Sequence, residues 1–118
     1  VNELNSYYHH RLHRYDFIQL VDQCHSLCHQ ALEYCSNKDD KYVDKKHLDL
    51  LADCAELCRI TSRLFRTRSQ FLPEIGLMCA EICENCGHSC RAIDESDVLL
   101  NACQKACKKC ALVCRTLF

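Results

Sequence analysis

The stretch CAEICENCGHSCRAIDESDVLLNACQKACKKCALVC, from Cys79 to Cys114, holds eight cysteines in two copies of one spacing, C-x3-C-x2-C-x3-C. The first copy is Cys79, Cys83, Cys86 and Cys90; the second is Cys103, Cys107, Cys110 and Cys114. On an α-helix, successive residues turn by about 100°, so the four positions of a copy fall at about 0°, 40°, −20° and 20°. All four thiols of a copy therefore share a stripe roughly 60° wide, spread along about 16 Å of axis. A helix bundle normally fills that stripe with Leu and Ile, so the spacing predicts a core lined with sulfur.

Helical periodicity extends through the rest of the chain. Phe17, Leu20, Val21, Cys24, Leu27, Cys28, Ala31, Leu32 and Cys35 recur at threes and fours until the polar run SNKDDK breaks the pattern. The periodicity and punctuation predict helices over about 16–36, 41–67, 71–93 and 96–117. Acidic Asp39, Asp40 and Asp44 near the start of the second helix, and Arg59, Arg63, Arg66 and Arg68 near its end, complement the helix dipole. Ser69 is a candidate cap for the third helix, with Pro73 in its first turn, and DESD supplies caps for the fourth. Two Gly and one Pro are too few turn formers for an all-β chain of this length. Short connections favour antiparallel neighbours, so the expected fold is all-α: a single domain over 1–118, an up-down-up-down four-helix bundle. Residues 1–14 read as a short N-terminal helix or an extension of the first.

Composition narrows the function. A net charge of −1 gives no electrostatic case for nucleic acid or for an anionic membrane surface. No apolar run approaches the ~18 residues of a membrane span. The opening residues lack a signal-peptide pattern, and a start at Val1 leaves room for a trimmed upstream segment and so for export. Thirteen cysteines in 118 residues, about 11%, exceed the ~8–10% that marks disulfide scaffolds. Yet thirteen is odd, and disulfide scaffolds are loop-rich whereas these cysteines sit in helical patterns.

The stripe spacing continues onto the first two helices. Counted back from Cys35 it meets Ala31, Cys28 and Cys24; counted back from Cys58 it meets Cys54, Leu51 and His47. Antiparallel packing then stacks four expected layers. They are Cys24, Cys58, Cys79 and Cys114; Cys28, Cys54, Cys83 and Cys110; Ala31, Leu51, Cys86 and Cys107; and Cys35, His47, Cys90 and Cys103. Every cysteine of the chain has a place in this scheme, and the other members are small, apolar or a potential ligand.

Soft thiolates select Cu(I), Zn(II) or iron–sulfur clusters. Structural zinc takes four ligands from loop-borne Cys pairs, and iron–sulfur signatures wrap a cluster with flexible segments. Thiols at i and i+4 on a rigid helix suit an ion content with two or three thiolates, which describes Cu(I). A column of such pairs argues for many ions, hence storage rather than a catalytic centre. No nucleophile–base–orienter set is present, so the chain does not read as an enzyme. A disulfide-stapled helical protein and a zinc or iron–sulfur module remain the alternatives.

The segment FLPEIGLMCAEICENCGHSC…NACQKACKKCALVC resembles the four-helix-bundle, cysteine-rich copper-binding proteins of the bacterial copper storage family, in detail over the last two helices and in register over the first two. The resemblance implies Cu(I) held by core thiolates, homotetramers, and a cytoplasmic location where no export signal is present. Carried over by position, it implies as ligands Cys24, Cys28, Cys35, Cys54, Cys58, Cys79, Cys83, Cys86, Cys90, Cys103, Cys107, Cys110 and Cys114. His47, at a stripe position that can be Cys, would add an imidazole. Ala31 and Leu51 depart from the thiol lining and imply reduced capacity near them. The family's frequently His-bearing last loop reads AIDESDVLL here, which removes accessory entry ligands.

Past one end of the stripes lie Phe17, Phe65, Leu72 and Leu117, an apolar plug. Past the other lie Lys38, Asp39, Asp40, Asp44 and Asp94, close to His47, and copper is expected to enter there. Each of His25 and His29 follows a stripe cysteine and points off the core, toward solvent or a subunit interface. His9, His10 and His13, with Tyr7 and Tyr8, read as a polar or interface face. Met78 reads as packing, and His88 as solvated.

Overall fold

The computed structural model describes residues 14–118, and among them each periodic stretch is a helix: α1 (Arg14–Ser36), α2 (Lys45–Arg66), α3 (Leu72–Ile93) and α4 (Val98–Leu117). No strand occurs among the described residues. Helix α1 packs on α2 and α4, and α3 closes the square by packing on the same two. The Arg14 guanidinium donates to the Arg66 carbonyl at one end of the α1–α2 pair (2.6 Å). At the other end the Cys35 thiol faces the His47 ring (3.5 Å). The pair is thus antiparallel, and the all-α up-down-up-down bundle is the observed architecture. The expected short N-terminal helix lies, apart from Arg14, outside the described residues. No described helix is long and apolar enough to cross a membrane.

Local chemistry sets the helix ends. Helix α2 starts later than the periodicity suggested, because Asp40–Val43 forms one turn of 3-10 helix and Asp44 then caps α2 through its carboxylate, which accepts from the His47 N–H (3.2 Å). Asp97 caps α4 in the same way through the Leu100 N–H (3.0 Å). The expected cap at Ser69 is displaced: Phe71 holds the N-cap position of α3, and the Ser69 hydroxyl instead accepts from the Phe71 N–H at 3.1 Å. Ser69 is engaged in closing α2. Its N–H reaches back to the Leu64 carbonyl, and the Arg68 N–H to that of Phe65. This paired closure needs a left-handed residue, and Arg68 supplies it at φ 55° without being glycine.

The buried stripe of every helix faces one axis, and all thirteen cysteines lie in it. At the α1 N-terminal end the lining changes to aromatic rings. Phe17 stacks on Phe65 with centroids 4.3 Å apart and meets Phe118 edge-on at 5.9 Å. The Phe118 ring lies directly over Gly76, where even a methyl group would collide with it. The apolar plug therefore exists, with Phe118 as a member that the periodicity did not single out. Met78, read as packing, is 55% exposed, since the Cys79 stripe turns it away from the axis.

Candidate metal centre

Thirteen sulfurs from four helices converge on the axis, all fully buried and all unpaired thiols. The shortest contacts run between helices: Cys28 to Cys103 and Cys54 to Cys83 at 3.6 Å, and Cys28 to Cys107 at 3.7 Å. Cys58 touches both Cys79 and Cys83 at 3.8 Å, and Cys24 touches Cys107 at 3.8 Å. These separations are far above the ~2.05 Å of a disulfide.

The sulfurs do not stand in the square layers expected from counting. Cys24 meets Cys83 and Cys107 rather than Cys79 and Cys114, and Cys28 meets Cys103 and Cys107 rather than Cys83 and Cys110. Helix α1 keeps the expected register with α2, Cys24 near Cys58 and Cys28 near Cys54, but is displaced along the axis against α3 and α4, so its thiols sit between theirs. Interdigitation of this kind is how helix side chains fill the gaps of a facing helix, and a count of residues cannot supply it.

The offset turns layers into overlapping quartets. Cys24, Cys28, Cys54 and Cys107 form one; Cys24, Cys54, Cys58 and Cys83 a second; Cys28, Cys86, Cys103 and Cys107 a third; Cys58, Cys79, Cys83 and Cys110 a fourth. Within each, all four sulfurs lie within 4.8 Å of one another. Six cysteines belong to two quartets, which makes the lining a continuous sulfur lattice. Cys35, Cys90 and Cys114 stand outside the quartets: the first two share the His47 end, and Cys114 lies beside Cys110 and Cys79.

Burial without cations nearby disfavours thiolates. Cys35 is pushed up to about 11 by burial, reinforced by the neighbouring Cys90. Cys28 and Cys83 are raised further, foremost by hydrogen bonds with Cys103 and Cys107 respectively. Cys107 is lowered, foremost by its contact with Cys103 and then by Cys24, Cys28 and Cys54, whose S–H groups can donate to its sulfur. Filling such a core with metal must therefore expel protons.

His47 is 1% exposed, and burial holds its imidazole below the ordinary value, hence neutral at pH 7. Its Nδ1 lies 2.7 Å from the Ser89 hydroxyl and its Nε2 3.5 Å from the Cys35 sulfur. With Cys35 held as a thiol, its S–H can donate to Nε2 while Nδ1–H donates to Ser89, the tautomer in which the Nε2 lone pair faces the thiol core. Ser89 escaped the sequence reading, although it sits inside the C-x3-C copy next to Cys90. Two more overlooked hydroxyls, Thr61 and Ser62, are buried beyond Cys58 with no hydrogen-bond partner among the described residues.

The His47 end is roofed. Tyr34 donates to Asp97 at 2.5 Å and Tyr42 to Asp94 at 2.6 Å, the two rings meet edge to face, and the Lys38 ammonium lies over both. The Tyr42 hydroxyl and the Ser96 groups hold Asp94 down at about 2. Burial opposes the same shift in Asp97, yet the Leu100 N–H and Tyr34 hydroxyl keep it below the ordinary range. Beside this roof, between α3 and α4, a cleft of about 170 Å3 has Cys90 and Leu100 in its lining, with Arg91, Asp94, Glu95, Asn101 and Gln104 around them. Asp39 and Asp40 are exposed, His88 is exposed, and His25 is half-buried against α2. His9, His10, His13, Tyr7 and Tyr8 lie outside the described residues.

Comparison with known proteins adds sequence and structural relatives. The family model for copper storage proteins matches residues 10–118. The cysteine-rich protein YhjQ of Bacillus subtilis (strain 168) is 31% identical over 100 residues, covering 85% of this chain and 91% of that protein. The Cu(I)-bound copper storage protein BsCsp3 superposes with a TM-score of 0.79 at 31% identity, over 86% of this chain and 93% of that one. The Nmul_A1745 protein from Nitrosospira multiformis superposes with a TM-score of 0.78 at 30% identity, over 88% and 93%.

Proposed function

The chain belongs to the copper storage protein family, and from that premise we propose that it holds many Cu(I) ions on the thiolates of its own core. The observation that carries this reading is the sulfur lattice: thirteen buried thiols whose quartets share members. Shared members mean bridging sulfurs, and bridging suits a run of two- and three-coordinate ions better than closed tetrahedra. Charge balance points the same way. A Zn(II) ion with four thiolates carries two surplus negative charges, and no Lys or Arg is buried among the described residues to offset them. One Cu(I) per thiolate leaves the core neutral. The proposed ligands are the thirteen cysteines and His47 through Nε2, and storage rather than catalysis is the role of the site.

Copper enters, on this reading, at the His47 end. Cys90 lines a cleft there, Asp94 at its rim carries negative charge, Glu95 beside it pairs with Arg91, and the opposite end is packed with phenyl rings. A cytoplasmic location suits a protein that needs its thiols reduced. The homotetramer implied by the family resemblance would have exposed Phe71, Leu77 and Met78, at the start and along the outside of α3, as apolar contact surface.

The test is an anaerobic titration of the reduced protein with Cu(I) against a strong chelator, after a count of free thiols. Near thirteen thiols and uptake of about one ion per thiolate are expected, with protons released as the thiols ionise. Saturation at one or two ions, or a count near one thiol, overturns storage.

A further inference from the structure

The outer face of α1 carries two imidazoles that the thiol core does not use. His25 and His29 are one turn apart, their rings are inclined by only 18°, and their centroids are 6.3 Å apart. His25 is half-buried and His29 exposed. Nδ1 of His25 lies 2.8 Å from the Ala55 carbonyl oxygen of α2. A carbonyl can only accept, so Nδ1 carries the proton and Nε2 is left with the lone pair. This is how outer partners prepare an imidazole for a metal: the backbone fixes the tautomer and the ring angle, and the far nitrogen is presented outward. No hydrogen bond among the described residues restrains His29, so its ring can turn toward its neighbour. Glu56, held by Arg59, adds negative charge within electrostatic reach of His25.

We propose that His25 and His29 form a second metal site, on the surface, for one divalent borderline cation of the Zn2+, Ni2+ or Cu2+ class. Two histidines at i and i+4 present both rings on one helical face, the spacing that zinc peptidase helices use. Imidazole suits these ions, whereas the soft Cu(I) belongs with thiolates, so the two sites divide metals by hardness. Water fills the remaining coordination positions of an ion on so open a surface.

The experiment separates this site from the core by filling the core first. Protein saturated anaerobically with Cu(I) is titrated with Ni2+ by calorimetry, alongside His25→Gln and His29→Gln. One Ni2+ per chain is expected for the unaltered protein. Each variant should bind it at least about 10–100-fold more weakly, since losing a ligand costs no less than losing an outer partner. Cu(I) capacity should be the same in all three. Absence of Ni2+ uptake by the unaltered protein overturns the proposal. So does either variant binding Ni2+ as tightly, which would place the ion on other histidines such as His88.

Discussion

At one end of the bundle Phe17, Phe65 and Phe118 close ring on ring over Gly76; at the other, Tyr34 and Tyr42 reach across to Asp97 and Asp94 above Cys35, His47 and Cys90. Both arrangements cover the same sulfur column, but they differ in what it takes to open them. Parting the phenyl rings exposes large apolar surface to water with nothing gained in return. Breaking a tyrosine–carboxylate hydrogen bond at a half-exposed site exchanges it for hydrogen bonds to water, at little net cost. The comparison teaches that the closed end supplies stability to a core of small thiols, while the latched end is where exchange with solvent is cheapest.

Breaking the aromatic end should give the largest effect. Phe17→Ala removes a 1%-exposed ring from the stack and is expected to destabilise the metal-free protein by about 3–5 kcal/mol. Gly76→Ala pushes a methyl into the Phe118 ring and should cost about 1–3 kcal/mol. Denaturant unfolding of the reduced apoprotein measures both. If the closed end is structural only, Cu(I) loading rates of the folded variants should match those of the unaltered chain; faster loading would erase the distinction between the ends.

The latched end should answer in the opposite sense. Tyr34→Phe combined with Tyr42→Phe removes both hydrogen bonds while keeping the rings and the Lys38 contacts, and Cu(I) uptake followed by stopped flow is expected to quicken several-fold with little loss of stability. His47→Leu should slow uptake markedly while changing the saturating ion number by no more than about one, because one of the proposed ligands near the entry is gone. The latch also has a pH signature. Asp94 titrates at about 2 against an ordinary 3.8, so its contribution is complete above the ordinary value and is lost as pH falls through about 2. Stability that fell away in that window in the unaltered protein but not in Tyr42→Phe would locate it in this bond; unchanged loading in the double variant would remove the gate.

Much of this was legible in residue spacing. The C-x3-C-x2-C-x3-C copies fix which face of α3 and α4 is buried, because the helical period is a property of the backbone and tolerates no slip along eleven residues. Extending the stripe to Ala31, Leu51 and His47 likewise found three buried positions that are not cysteine. The axial offset of α1 was not legible, since it depends on how side chains of unequal length mesh across a helix pair. The expected set Cys24, Cys58, Cys79 and Cys114 therefore holds only in part: Cys24 meets Cys58 and Cys58 meets Cys79, but Cys24 turns to Cys83 and Cys107, while Cys35 and His47 meet as expected. The roof was missed for another reason. Tyr34 and Tyr42 lie off the stripe; of their partners, Asp97 read only as a cap, and Asp94 as an acidic residue at the entry rather than as a tyrosine's acceptor. Only the folded chain brings the end of α1, the 3-10 turn and the α3–α4 connection together.

The smallest expected effect tests the most local part of the comparison, the Ser89–His47 contact. Ser89→Ala leaves Nδ1–H of a buried imidazole without its acceptor, which should cost about 1–3 kcal/mol at most, because the ring can turn or admit water. Turning the ring would carry the Nε2 lone pair away from the axis, so Cu(I) uptake should slow, but by less than in His47→Leu. The decisive readout is the imidazole nitrogen spectrum of the apoprotein. A single neutral tautomer with the proton on Nδ1 is expected before substitution, and a mixture after it. If Ser89→Ala keeps that tautomer and the loading rate, then Cys35 alone orients the ring. The latched end would then owe its ligand geometry to the thiols, and Ser89 would be packing.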